Sequence, residues 1–191
     1  RDLHSFPTRR SSDLDLGTIT ASVRDAEEVI TCRLNDTSSD MGADEPFVYR
    51  DRTKTLYQGN DSVQNGRFAF QFIVPQDISY SDGSGLINVY ALSTDGSLRA
   101  HGTCDQFYLG GADVVKRDSV GPKLYCYLNS ETFVNGGKVN TTPYFVATIS
   151  DEDGINATGN SIGHDLELII DGETDRTYVL NDYFQYDFGS F

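Results

Sequence analysis

Apolar residues along this chain recur at every second position, in short runs. In "GRFAFQFIV", Phe68, Phe70, Phe72 and Val74 fall on one side of a pleated strand, and Ala69, Gln71 and Ile73 on the other. Asn65-Gly66 stands just before it, and because both residues tolerate positive φ the pair predicts a tight hairpin turn. The same period marks "TITASV" from Thr18, "VITCRL" from Val29, "TKTLYQ" from Thr53, "LINVYAL" from Leu86 and "TCDQFYL" from Thr103. Each run is bounded by Gly, Asp, Asn or Pro, the residues that favour turns. No stretch of about ten residues or more carries helical periodicity. An all-β chain is expected.

The pattern restarts after "YLGGADVVKRDSVGPKLYCYL" with the runs "KLYCYL", "PYFVATI", "DLELII" and "TYVL". Gly110-Gly111, a charged stretch and Gly121-Pro122 predict a boundary there, with residues 15–114 as one domain, 115–120 as a linker and 121–191 as a second domain. Two consecutive β units with turn signals roughly every 8 to 12 residues predict two tandem immunoglobulin-like β-sandwich domains. A full sandwich has about seven strands, so the second domain is expected to be incomplete. An unpaired edge and a half-covered core would make it prone to aggregation.

The N-terminus departs from this picture. "RDLHSFPTRRSSDL" carries three arginines at the head of a chain whose formal net charge is -14. It lacks the apolar stretch, about seven residues or longer, that a secretory signal places after its positive charge. A widely used short-read sequencing adapter encodes all fourteen residues in order, so Arg1–Leu14 is expected to be an adapter-derived, disordered artefact outside the fold. The chain from Asp15 onward is expected to be a piece of a longer protein, cut at its C-terminal "YFQYDFGSF" as well.

Removing Arg1, Arg9, Arg10, Asp2 and Asp13 makes the remainder more acidic still. That balance argues against nucleic acid, whose binding needs clustered Lys and Arg to release counterions. With 38% apolar residues, 11 Phe and 11 Tyr, the chain can build cores, and its acidity suits an extracellular bacterial module. Three widely spaced cysteines make no disulfide framework. Cys32 and Cys126 sit on the apolar faces of their runs and are expected to be buried, whereas Cys104 is the one expected to see water.

Two longer stretches carry a family resemblance. "VQNGRFAFQFIVPQDISYSDGSGLINVYAL" and "DSVGPKLYCYLNSETFVNGGKVNTTPYFVATISDEDGINATGNSIGHDLELIIDGETDRTYVLNDYF" resemble the region after the peptidase domain in PorU-type sortases of the type IX secretion system. These are gingipain-family cysteine peptidases of the Bacteroidota. "FVNGG", "DEDGIN" and "GNSIGHDL", in that order, are the most telling pieces, and the resemblance covers about Asn65 to Tyr183. It implies a parent at the outer-membrane surface, on the extracellular side and not membrane-spanning, that removes C-terminal sorting signals from secreted proteins. The family's catalytic Cys and His lie in the upstream peptidase domain, so no catalytic, cofactor-binding or metal residue is carried over. The implied role is accessory, with the parent's own peptidase domain and outer-membrane secretion components as partners. The alternative is an immunoglobulin-like adhesin or carbohydrate-binding module of a Bacteroidota surface protein, with Tyr125 and Tyr127 as a sugar platform.

Several features could carry chemistry of their own. His101 and Cys104 in "AHGTCD" are the residue types of a cysteine peptidase, but in an extended strand they would lie about 10 Å apart on opposite faces. Asp151, Glu152 and Asp153 beside Gly154 form an oxygen-rich loop of the kind calcium favours, which Asp165 could complete. The EF-hand pattern fails, because Ile162 stands where its twelfth position needs Glu, so a loop closed by side-chain to backbone bonds is the simpler expectation, and no cofactor is expected. Asp171 to Asp175 reads as a solvated hairpin loop, and His164 as a loop histidine without a second ligand. Sequons occur at Asn35, Asn60, Asn140 and Asn156, and Asp61-Ser62-Val63 and Asp118-Ser119-Val120 are similar to the Bacteroidota O-glycosylation motif, which marks Ser62 and Ser119.

Overall fold

The computed structural model describes residues 15–32, 46–75, 78–79, 82–110, 120–157 and 165–190. Among these residues the regular structure is ten strands and two single 3-10 turns, with no α-helix. The protein is all-β and sandwich-like, as the period-two pattern predicts, and every strand pair is antiparallel.

Strand β1 (Leu16–Arg24) alternates Thr18, Thr20 and Ser22 outward with Ile19, Ala21 and Val23 inward, and these last three are at most 1% exposed. β2 (Glu28–Thr31) and β3 (Val48–Asp51) pair as a separate ribbon. β4 (Thr55–Gln64), β5 (Leu86–Ser93) and β6 (Arg99–Cys104) join β1 in a sheet of order β4-β1-β5-β6. A register shift at Val23/Arg24 pairs Val23 with Tyr57 and Arg24 with Thr55. Leu56 is the extra residue, so Leu56 and Tyr57, adjacent in sequence, are both buried, as a β-bulge permits. β7 (Lys123–Leu128) pairs with β8 (Phe145–Ser150), and β9 (Glu167–Ile169) with β10 (Thr177–Val179), as two further ribbons.

One core serves the four-stranded sheet. Ile19, Ala21, Val23, Val63, Ile87 and Ala91 form its floor, and Phe68, Phe70, Phe72, Ile78, Phe107 and Tyr186 pack onto it. The rings interlock: Tyr57 lies 5.2 Å from Phe70 and 5.0 Å from Tyr186, centroid to centroid, and Phe184 meets Tyr186 edge-on. The C-terminal segment adds itself to the β4 edge: Tyr186 makes a parallel bridge to Gly59, and its N–H donates to the Gln58 carbonyl at 2.8 Å.

"GRFAFQFIV" is not a strand. The turn predicted at Asn65-Gly66 forms, with both residues at positive φ and Gln64 bridged to Arg67, but residues 68–75 then leave the ladder. Their alternation serves packing instead: every second side chain from Phe68 to Phe72 reaches the core while the backbone finds no partner strand. The strand expected from Thr103 ends at Cys104, and its ladder lies earlier, over "RAHGTC". β3 answers to no predicted run.

The chain divides into two compact units, and the division differs from the predicted domains. Asn156–Phe191 groups with the part of the chain up to Ala112, and Asp113–Ile155 forms the other unit. Burial of Tyr186 against Tyr57 is the physical reason that the C-terminal stretch belongs with the first unit rather than with β7 and β8.

Candidate functional site

Four polar clusters are built into turns and corners. At the end of β1, the buried carboxylate of Asp25 accepts the Ala26 N–H at 2.7 Å and the Ser79 N–H. Arg52 Nη1 donates to the Asp25 carbonyl at 2.9 Å and to the Ser84 carbonyl. Glu28 accepts the Ser79 and Thr53 hydroxyls and lies 3.2 Å from Lys54 Nζ. The Ser79 hydrogen bond, with help from Lys54, holds the Glu28 carboxyl below its ordinary value against the opposing effect of partial burial. This corner pins residues 78–79 and 84 beside β1 and so seats Ile78 over the core.

Between β5 and β6, Asp95 Oδ1 accepts the Ser93 hydroxyl at 2.6 Å and the Ser97 N–H at 3.0 Å. The Ser93 bond first, then those from Ser97, bring the Asp95 carboxyl down to about 2. Between β9 and β10, Arg176 meets Asp171 and Glu173 at 3.6 and 3.0 Å, with Asp171 and Gly172 at positive φ, which is the solvated hairpin loop expected there. After β8, Asp151 Oδ1 accepts the Asp153 N–H at 2.9 Å and Gly154 takes positive φ, the loop closure set against calcium. Among the described residues, no three His, Cys, Asp or Glu side chains gather where they could hold a metal.

The structure scatters the other predicted positions. His101 pairs with Tyr90 and Cys104 with Ile87, so strand parity puts them on opposite faces of the sheet. Cys104 packs against the core and, like Cys32, is half-buried, whereas Cys126 is exposed, so the burial expected of Cys126 is absent and Cys104 is no more open than Cys32. The cause is cover: Cys104 packs against the core of the four-stranded sheet, whereas no residue of β7 or β8 is buried. Ser62 is exposed on β4 with its N–H bonded to Asp61 Oδ1 at 2.6 Å. Ser119, His164 and Asn35 lie outside the described residues. Tyr125 is exposed and Tyr127 half-buried, with their rings tilted by 49° and the Tyr125 hydroxyl donating to the Glu131 carbonyl, so they form no flat platform.

Two features of the first unit had no sequence signal. A cavity of about 270 Å³ lies between β4 and the returning C-terminal segment, rimmed by Arg24, Gln58, Asp165, Asn181 and Asp182. Ligand sites begin at about 300 Å³, and the aromatic floor of this one, Tyr57 and Tyr186, is buried in the core stack. Burial pushes the Tyr57 hydroxyl up to about 12, helped by Asp61, and raises that of Tyr186 as well.

The second feature is the outer face of the β4-β1-β5-β6 sheet. Register aligns Asn60, Thr20, Tyr90 and His101 in one row across four strands. Gln58, Ser22, Asn88 and Thr103 make the next row. Amides, hydroxyls, one phenol and one imidazole thus form a broad polar surface. Comparisons of the chain with protein-family models, with curated proteins and with solved structures return no match.

Proposed function

We propose that this chain is a non-catalytic β-sandwich segment of a larger cell-surface protein, the accessory part that comes after the peptidase domain in a PorU-type, gingipain-family sortase. The observation that supports this most is the direction of its polar bonds. Asp25, Arg52, Asp95 and Asp151 each bond to backbone groups of their own turn or corner, as residues do that hold loops in place. His101 and Cys104, turned to opposite faces, make no nucleophile and base pair. In this role the segment supports or docks the peptidase domain on the extracellular side of the outer membrane, and Ser62, exposed beside Asp61, takes an O-glycan.

The test mixes the full chain with a PorU-type peptidase domain and, separately, with a substrate that ends in a sorting signal. The expected result is a complex on size-exclusion chromatography and no cleavage by the chain alone. Cleavage that Cys104→Ser abolishes, or the absence of any complex, contradicts the reading.

A further inference from the structure

The outer face of the four-stranded sheet carries no carboxylate, in a chain with 29 acidic residues and a net charge of -14. Its third row, Ser62, Thr18, Leu92 and Arg99, keeps to this rule. Asp61, the acid within β4, has the opposite parity and belongs to the other face. Cations are equally sparse, with Arg24 and Arg99 at the margins, so the face neither repels nor steers an anion.

Tyr90 stands in the middle of this surface, 45% exposed, and neither its hydroxyl nor the His101 ring has a hydrogen-bond partner among the described residues. The Asn60 carbonyl oxygen accepts the Thr20 hydroxyl at 2.7 Å, and the Asn60 NH2 group has no hydrogen-bond partner among the described residues. An aromatic ring offers its face to the C–H side of a sugar, while flanking amides, hydroxyls and an imidazole exchange hydrogen bonds with sugar hydroxyls. With strands spaced about 4.8 Å apart, the row from Asn60 to His101 spans about 14 Å, room for a short oligosaccharide lying across the strands.

We propose that this face binds a neutral polysaccharide, with Tyr90 as the stacking residue and Asn60, His101 and Asn88 as polar contacts. The inference does not depend on the accessory role above, since a docking segment and a free-standing repeat could both carry such a face. It moves the sugar contact from Tyr125 and Tyr127 to a different sheet.

Native affinity electrophoresis of the full chain tests it, in gels containing a soluble β-glucan, a galactomannan or an arabinoxylan, with alginate as the acidic control. The expected result is retardation by at least one neutral polysaccharide, insensitive to salt, with Tyr90→Ala weakening binding roughly tenfold or more. Tyr90→Phe should keep most of the affinity, His101→Ala should lose part of it, and Tyr125→Ala should change nothing. Thermal melts of Tyr90→Ala and His101→Ala, expected to match the parent chain, separate lost contact from lost fold. No retardation in any neutral gel, retardation in alginate alone, or unchanged binding by Tyr90→Ala overturns the proposal.

Discussion

β1 and β7 have the same kind of sequence and opposite fates. In β1 the inward positions Ile19, Ala21 and Val23 are buried almost completely. In β7 Leu124 is 63% exposed and Cys126 is exposed too, and none of residues 120–155 is buried. Both strands alternate and both pair antiparallel, so alternation and pairing do not account for the difference. Cover does. β1 lies at the centre of a four-stranded sheet under Phe70, Phe72, Phe107 and Tyr186, whereas β7 and β8 form a ribbon of two strands, an arrangement that is marginal on its own in water. Period two therefore marks a strand, and a second layer decides whether that strand has an inside.

The largest effects should come from the core. Ile87→Ala removes a side chain that is 1% exposed and should cost about 2–5 kcal/mol in urea unfolding. Leu124→Ala, the matching change in the uncovered ribbon, should stay within about 0.5 kcal/mol. Equal losses would mean that β7 is covered after all. Gly59→Ala comes next: its Cβ would meet the Tyr57 ring and approach the Tyr186 Cβ to 3.1 Å, a collision expected to cost about 1–3 kcal/mol. Gly136→Ala in the other unit meets no neighbouring atom, so only its positive φ of 81° should register.

Titration sharpens the contrast further. The raised hydroxyls of Tyr57 and Tyr186 stabilise the fold fully below the ordinary tyrosine value of 10, and that stability is lost as pH climbs through their folded values, about 12 for Tyr57. These two should form phenolate together with alkaline unfolding. Tyr57→Phe should move the alkaline limb. The smaller of the titration effects belongs to Glu28. Its lowered carboxyl stabilises the fold above the ordinary value of 4.5, and this fades as pH falls through the folded value. Glu28→Gln should flatten the acid limb and lower stability at neutral pH by less than about 1 kcal/mol, because the group is part-exposed and screened.

Much of the fold is legible in the sequence, and the hidden part comes from non-local contacts. The runs at Thr18 and Leu86 are strands because β-branched and apolar residues alternate there with polar ones. β4 continues beyond its apolar run through Gly59, Asn60 and Asp61, residues that favour turns, because β1 pairs with it along its whole length. The alternation of Phe68, Phe70 and Phe72 suits a strand equally well, and sequence carries no sign that their backbone lacks a neighbour. The half-burial of Cys104 is hidden for the same reason: it packs against the core beside Ile87, its cross-strand neighbour, and that pairing depends on the sheet order. The polar outer face is a stronger case. Asn60, Thr20, Tyr90 and His101 come from four separate strands, two of them from positions outside any apolar run, and only the register brings them into one row.

Native-state hydrogen exchange, resolved along the chain, tests the central claim most directly. Amides of Ile19, Ala21 and Val23 should exchange only through global unfolding, while those of Tyr125 and Tyr127 on β7 exchange orders of magnitude faster. Equal protection of β1 and β7 would contradict the account, since it would require a buried layer over the ribbon as well.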